Sequence, residues 1–478
     1  MNFKQLKLSK EIQQALNKLG YIKPLEVQSK VIPSLLAGEN MIVKSKTGSG
    51  KTAAFGIPLC EMVNWEEKAP QALILVPTRE LALQVKEEIS AIGTYKKIKC
   101  TALFGKVPYE KQTLELKQKC HIVIGTPGRV NDHIEKGNLD LSKIKYLVLD
   151  EADEMLDLGF IEQIEDILKG VKAQTLLFSA TMPERIKEVI EEYISDATEV
   201  EITSEDIKNQ NITHIVYNAH GIKQNAKLEY LYKLLLENRV ESTIIFCKMQ
   251  ETVNTVCDYL HELYVNVDRL HGGMEQKDRL EVMSDFKKGK VRVLVATDVA
   301  ARGIDIDNVS HVINYDMPFN AETYIHRIGR SGRLDNKGFA ISFASNLEMN
   351  IIADVEEKLS IEIKEEELSS LDIVDISNHE FKDELYEDVE KKEDKLVSIN
   401  KDIFKIYIGA GKKNKLRAGD IVGAICELRG ISGDDIGIIT ILDNTSYVEI
   451  LNNKGKQVLK ELQRTTIKGK RYKVEKAK

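Results

Sequence analysis

Hydrophobic positions over residues 1–353 alternate between two textures. Short runs of β-branched and aliphatic residues read as buried strands. Between them, apolar residues recur at three- and four-residue spacing, as on amphipathic helices. Strand candidates in the first part are Met41–Lys44, Ala72–Val76, His121–Ile124, Tyr146–Leu149 and Thr175–Phe178. A second series follows at Ser242–Phe246, Val291–Ala296, His311–Asn314 and Phe339–Phe343. Strands alternating with helices predict an α/β fold with parallel sheets covered on both faces. Two series predict two such domains, parted near residues 199–210. From Asp354 to Lys395 the pattern gives way to a charge run, which predicts a last helix followed by an acidic connector. The remainder reads as strand (Phe404–Gly409), basic loop and helix (Lys412–Leu428), strands (Ile436–Leu442, Ser446–Ile450), helix (Lys454–Leu462) and strand (Arg471–Val474). That βαββαβ order predicts a small α+β sandwich with an antiparallel sheet. The expected domains are thus 1–205, 206–365, an acidic linker 366–402, and 403–478.

Composition changes this picture at one point. The 478 residues carry a net charge of −7, which argues against a nucleic-acid partner until it is divided along the chain. Residues 1–353 sum to −4, residues 354–395 to −11 and residues 401–478 to +8. The basic charge is concentrated in the last segment. No stretch approaches the roughly 18 apolar residues of a membrane span, and the amphipathic N-terminus lacks the apolar core of a signal peptide. The six cysteines show no CxxC spacing, so buried free thiols in a reducing cytoplasm are expected.

The candidate chemistry begins at Ser45–Thr52, SKTGSGKT, between a strand and the helix Ala53–Met62. A strand–loop–helix of this kind cradles phosphates. Thr47, Gly48, Ser49 and Gly50 present backbone N–H groups, Lys51 reaches the outer phosphates, and the Thr52 hydroxyl holds Mg²⁺. Ser45 stands where the general pattern has its first glycine. Asp150-Glu151-Ala152-Asp153 follows the strand Tyr146–Leu149, at the strand end where α/β ligands bind. There Asp150 can position Mg²⁺ through water, and Glu151 can orient the attacking water.

With these residues the chain resembles the DEAD-box ATP-dependent RNA helicases over about residues 1–365. The resemblance implies two tandem RecA-like domains, ATP and Mg²⁺ as cofactors, and RNA as partner. Phe3, Tyr21 and Gln28 match the adenine-reading motif, although positions 25–27 are Leu-Glu-Val rather than Thr-Pro-Ile. Tyr21 can stack on the base, and the Gln28 amide can pair with adenine. Thr78 and Arg79, and then Thr126, Pro127, Gly128 and Arg129, match RNA-backbone motifs. Their hydroxyl, guanidinium and N–H donors suit phosphate and 2′-OH contacts. The family's Gly-Gly site is Gly105-Lys106 here, and only Gly105 is carried over. Asp153, Ser179, Thr181 and His326 match coupling positions. Gln276, Arg279, Thr297, Arg302 and Gly303 match RNA contacts of the second domain, and Asp305 matches a ribose contact. Arg330 and Arg333 match arginine fingers, each finger being worth about 10³–10⁵ in rate.

In the last segment Tyr407 and Tyr447 lie on predicted strands, where they could stack bases or simply pack. Lys412, Lys413, Lys415 and Arg417 form one basic loop. Lys470 and Arg471 belong to a second basic stretch, together with Lys468, Lys473, Lys476 and Lys478. Together with the core, this segment resembles the bacterial DbpA group of the family, in which a diverged RNA-recognition motif binds a hairpin in 23S ribosomal RNA. That closer resemblance implies ATP-driven, local, non-processive unwinding during large-subunit assembly by a cytoplasmic monomer. It implies no membrane and no metal beyond Mg²⁺. An ATP-gated RNA clamp without unwinding is the alternative for the core. A protein-binding or dimerisation module is the alternative for residues 401–478.

Overall fold

The computed structural model describes residues 2–45, 49–202, 212–301, 309–332, 337–376, 379–389 and 403–477. The chain divides into two units, Met1–Ile202 with Asp394–Lys478, and Thr203–Glu393.

The first sheet contains β1 (Asn40–Lys44), β2 (Ala72–Leu75), β3 (Cys100–Leu103), β4 (Ile122–Gly125), β5 (Tyr146–Leu149), β6 (Gln174–Ser179) and β7 (Ala197–Glu201). Its order is β3-β4-β2-β5-β6-β1-β7, with every pair parallel. The second sheet contains β8 (Ile212–Asn218), β9 (Thr243–Cys247), β10 (Val267–Leu270), β11 (Val293–Thr297), β12 (His311–Asn314), β13 (Gly338–Ala344) and β14 (Lys364–Glu366). Its order is β10-β11-β9-β12-β13-β8-β14, again all parallel. Raising each number of the first order by seven gives the second, so the two sheets share one topology.

Alternation along the strands builds a core on each face. Met41 and Val43 of β1 and Ala72 and Ile74 of β2 enter one core, while Ile42, Leu73 and Leu75 enter the other. In the second sheet Ile245 and Val293 face one core, and Ile244 and Leu294 the opposite one. Strands buried on both faces give the continuous apolar runs that made them legible.

Five strands escaped the sequence pattern: β3, β7, β8, β10 and β14. Four of these are the sheet edges. The edges β7 (ATEVE), β10 (VDRL) and β14 (KEE) carry charge where a central strand would be apolar, as edge strands commonly do. β8 lies beside the short β14 and mixes polar with apolar positions.

The acidic segment also differs from expectation. The connector was expected from residue 366, yet Leu368, Leu371, Val374, Phe381 and Leu385 are buried in one core of the second sheet. The backbone is tied as well: Asn266 donates its N–H to Leu385 O (2.8 Å), and Val389 to Gly289 O (2.7 Å). Arg292, nearly buried, donates to Glu387 O (3.3 Å) and lies over the Phe381 ring. Charge dominates this stretch in sequence, but its spaced apolar residues decide its structure. The expected linker residues 390–402 lie outside the described residues.

The third sheet holds β15 (Phe404–Ile408), β16 (Ile436–Ile441), β17 (Ser446–Ile450) and β18 (Val474–Lys476), in the order β16-β17-β15-β18, all antiparallel. Helices Ala418–Cys426 and Gly455–Leu462 complete the βαββαβ order over one core. The last strand starts at Val474 rather than Arg471. A tight turn bridging Ile467 and Lys470, with Lys468 and Gly469 at positive φ, comes first.

If residues 366–389 belong to the second core, Leu385→Ala lowers stability by about 2–5 kcal/mol, as for other buried leucines. A solvated connector would change it by less than about 0.5 kcal/mol. Urea unfolding of the full chain, followed by hydrogen exchange in the second unit, distinguishes the two.

Candidate nucleotide and RNA sites

Within each sheet the strand order gathers the candidate residues at the C-terminal strand ends. The loops after β5, β6 and β1 lie side by side, and so do those after β3, β4 and β2. The first group carries the phosphate and acidic motifs, and the second carries the RNA-backbone motifs.

In the phosphate group, Lys44 is in register with Ser179, and Ser45 donates its N–H to Ser179 O (2.9 Å). Thr47 and Gly48 lie outside the described residues. Gly50 adopts φ +85°, and a Cβ there would come within 2.7 Å of Gln28 Nε2 and Leu25 Cδ1, so only glycine fits. The helix Lys51–Met62 starts immediately after it. Lys51 and Asp150 are 6% and 2% exposed, and Lys51 Nζ sits 3.8 Å from Asp150 Oδ1. Burial raises the Asp150 pKa to about 6. The Lys51 ammonium draws it down, and neighbouring Glu151 pushes it up. Glu151 is buried in the left-handed region (φ 56°, ψ 54°), a conformation that costs a non-glycine residue roughly 1–2 kcal/mol.

Four buried atoms here make no hydrogen bond: Ser49 Oγ, Lys51 Nζ, Asp150 Oδ1 and Glu151 Oε2. Each such group costs about 1–3 kcal/mol. Their mixture of donors and acceptors fits an anionic ligand with an associated cation. Asp150 and the half-buried Thr52 supply oxygen donors of the kind Mg²⁺ takes. Among the described residues no cluster of three metal-binding side chains occurs. That suits a cation held largely by phosphate and water.

Beside this site Asp153 Oδ2 accepts from Thr181 N (2.8 Å) and Thr181 Oγ1 (2.9 Å). Ser179 Oγ accepts from Asp153 N (3.2 Å) and donates to Thr181 O (2.6 Å). The three coupling residues of the first unit therefore form one closed network between the loops after β5 and β6.

The adenine-reading residues are only partly brought together. Phe3 meets Tyr21 edge to face, with centroids 6.0 Å apart, and both line a cavity of about 260 Å³. The Tyr21 hydroxyl donates to Glu88 (3.0 Å). Gln28 is buried and engaged with backbone: Nε2 donates to Gly50 O (3.2 Å), and Oε1 accepts from Leu25 N (2.9 Å). Gln28 thus fastens the phosphate loop and does not line that cavity.

In the RNA group Thr78 caps the helix Arg79–Ile92, accepting from Leu81 N (3.2 Å). The Arg79 guanidinium lies against Gly105, where a Cβ would be 3.5 Å from Nη2. Thr126 N donates to Leu103 O (3.0 Å), Pro127 opens the next helix, and Gly128 faces open space. Arg129 donates to Val107 O (3.1 Å) and Gln112 Oε1 (3.0 Å). The three motifs thus form one contiguous corner.

In the second unit Gln276 and Arg279 stand on the helix after β10, and Thr297 ends β11. Arg302, Gly303, Asp305 and Arg333 lie outside the described residues. His326 is half-buried and Arg330 is buried. The sequence reading missed Arg327. It is 2% exposed, and its guanidinium forks onto Asp298 (Nε–Oδ1 2.6 Å, Nη2–Oδ2 2.7 Å) while Nη1 reaches Asn314 Oδ1 (2.8 Å). Its spacing with Arg330 was the available signal, but spacing alone does not separate an anchor from a finger.

In the third sheet Tyr407 and Tyr447 are directly paired and half-buried, edge to face at 5.7 Å, and Lys405 lies over Tyr447. Lys412, Lys413, Lys415, Arg417, Lys470 and Arg471 are exposed. Lys468 joins the two basic loops by donating to Lys415 O (2.9 Å) and pairing with Asp420 (3.4 Å).

Comparison with known proteins places this geometry. Residues 25–189 match the DEAD/DEAH box helicase family, residues 226–335 the helicase conserved C-terminal domain, and residues 405–476 the DbpA RNA binding domain. The solved structure of Saccharomyces cerevisiae Dbp5 bound to RNA and ADP BeF3 is similar. It is 31% identical with a TM-score of 0.70, over 81% of this chain and 100% of that one. A nucleotide-dependent helicase core is the class that fold and sites define. Over the whole length the chain is 52% identical to the ATP-dependent RNA helicase DbpA of Bacillus subtilis, spanning 100% of this chain and 99% of the relative. It is 36% identical to that of Escherichia coli, over 96% and 95%. The chain belongs to the DEAD-box ATP-dependent RNA helicases, in their DbpA group.

Arg327→Ala leaves Asp298 without its fork partner inside the second unit. It is expected to cost about 3–5 kcal/mol, read as a lowered urea midpoint, with Arg327→Lys falling between it and the unaltered protein.

Proposed function

We propose that this ATP-dependent RNA helicase separates short duplexes locally, without processive translocation, and is directed by residues 403–478 to a hairpin of 23S ribosomal RNA during large-subunit assembly in the cytoplasm. The observation that supports the nucleotide reading is the set of four buried, unsatisfied atoms at Ser49, Lys51, Asp150 and Glu151. Lys51 binds the outer phosphates, and Glu151 orients the attacking water. Thr52 and Asp150 hold Mg²⁺, which neutralises charge developing on the phosphates. Asp305 contacts the ribose, and Tyr21 stacks on the base.

Arg330 and Arg333 belong to the second unit and act as fingers, so ATP bound to the first unit alone lacks them. A contribution of 10³–10⁵ in rate amounts to about 4–7 kcal/mol of barrier, enough to make hydrolysis depend on closure. RNA backbone bound by Thr78, Arg79, Thr126, Arg129, Gln276, Arg279 and Thr297 favours that closure. Asp153, Ser179 and Thr181 relay the state of the phosphates toward the RNA loops. Closure bends one strand and sheds its partner, and phosphate release reopens the cleft. The joined basic loops of the third sheet support the targeting role, with Tyr407 and Tyr447 offering ring surface. The protein acts as a monomer.

Lys51→Ala and Glu151→Gln are each expected to lower RNA-stimulated hydrolysis by at least a hundredfold; unchanged turnover would sink the catalytic assignment. Strand displacement on short and long duplexes tests the unwinding, and hydrolysis without displacement means a clamp. Stimulation by ribosomal RNA over poly(A) should be lost on deleting residues 403–478. Equal stimulation before deletion would remove the targeting reading.

A further inference from the structure

Left-handed residues other than glycine are scattered through the chain, and most have an ordinary local cause. Arg239, Tyr264 and Ser360 end helices, where such caps are common. Lys106 (φ 58°) ends no helix. It lies in the turn after β3, in the corner that also holds the loops after β2 and β4. Glycine or asparagine would take this conformation at lower cost.

The turn around it is clamped. Gln112 Nε2 donates to Phe104 O (2.9 Å), Arg79 lies against Gly105, and Arg129 donates to Val107 O (3.1 Å). One acid enters the corner, Asp132, and it is paired with Arg129 (3.4 Å). The Lys106 side chain is exposed and has no hydrogen bond or ion pair among the described residues. A fixed turn therefore aims one uncommitted ammonium outward beside two guanidinium groups already braced on protein. A lysine held at a backbone cost, with no intramolecular contact in return, indicates an external anion.

We infer that Lys106 binds a phosphate of the RNA backbone, adding a cationic contact to the corner formed by Thr78, Arg79, Gly105, Thr126 and Arg129. This rests on the RNA reading of those loops given above. A lysine here contributes charge without base preference, so it strengthens binding uniformly across sequences.

The test uses the full chain, poly(A) as RNA, and a non-hydrolysable ATP analogue for binding at several salt concentrations. Lys106→Gly removes the ammonium and relaxes the turn, so its unfolding midpoint should hold or rise. Its half-saturating RNA should rise about three- to tenfold, and the slope of log affinity against log salt should shrink by about 0.7, one single-strand phosphate contact. Lys106→Arg should restore both. Lys106→Gly with unaltered half-saturation and slope overturns the inference, and so does Lys106→Arg behaving like Lys106→Gly. Absence of any RNA stimulation in the unaltered protein would instead overturn the RNA reading of the whole corner.

Discussion

A lysine and an aspartate buried 3.8 Å apart, neither atom of the pair hydrogen-bonded, set the terms for the first domain. Their mutual attraction offsets only part of the cost of removing both from water. Glu151 adds backbone strain beside them. Nothing local repays this. The fully buried strands β1, β5 and β6 impose it by ending at one level. Without ligand the site is therefore a reservoir of unfavourable free energy, which a phosphate-bearing ligand relieves. A ligand at a hundred times its dissociation constant stabilises the folded state by about 2.7 kcal/mol. The destabilised site and the regular sheet are two consequences of the same packing.

Strand order turns that site into part of a relay. In β3-β4-β2-β5-β6-β1-β7 the RNA loops occupy one half and the nucleotide loops the next three strands, and the halves meet at β2 and β5. At that seam Asp150 donates its N–H to Leu75 O (2.9 Å), at the end of the strand that leads to Thr78 and Arg79. On the other side the Asp153–Ser179–Thr181 network locks the loops after β5 and β6. A shift at the phosphates thus has a short covalent and hydrogen-bonded route to the RNA corner. The second sheet repeats the order, so Gln276, Arg279 and Thr297 occupy positions equivalent to the first sheet's RNA corner.

What the sequence made legible follows from how each feature is encoded. Central strands are apolar runs because both faces are buried, so Ala72–Leu75 and Tyr146–Leu149 stood out. Edges such as Val267–Leu270 did not, because their charges keep them from pairing with other chains. Local motifs such as Gly50-Lys51-Thr52 place their own residues through a turn and a helix start. Partner choice is different, because it depends on residues distant in the chain. Gln28 is spent on Gly50 and Leu25, and Arg327 on Asp298 and Asn314, neither of which spacing alone reveals. The same holds for Leu368, Phe381 and Leu385, apolar residues diluted by acids, whose docking surface is assembled elsewhere.

That dilution changes what the charge along the chain means. A run of acids after residue 353 looked like a spacer that would hold RNA away. Part of the run is instead used up within the second unit, where Asp372 pairs with Lys233 (3.2 Å) and Phe381 supports Arg292. Acids paired with protein cations project little field beyond about a Debye length, roughly 8 Å at physiological salt. Repulsion from this stretch is therefore weaker than its count implies. The positive charge of residues 401–478 has no such internal sink at its exposed loops. Lys468 is paired with Asp420, but Lys412, Lys413, Lys470 and Arg471 stay in solvent. Two segments of opposite net charge thus differ more in how that charge is committed than in its amount, and the uncommitted portion meets RNA.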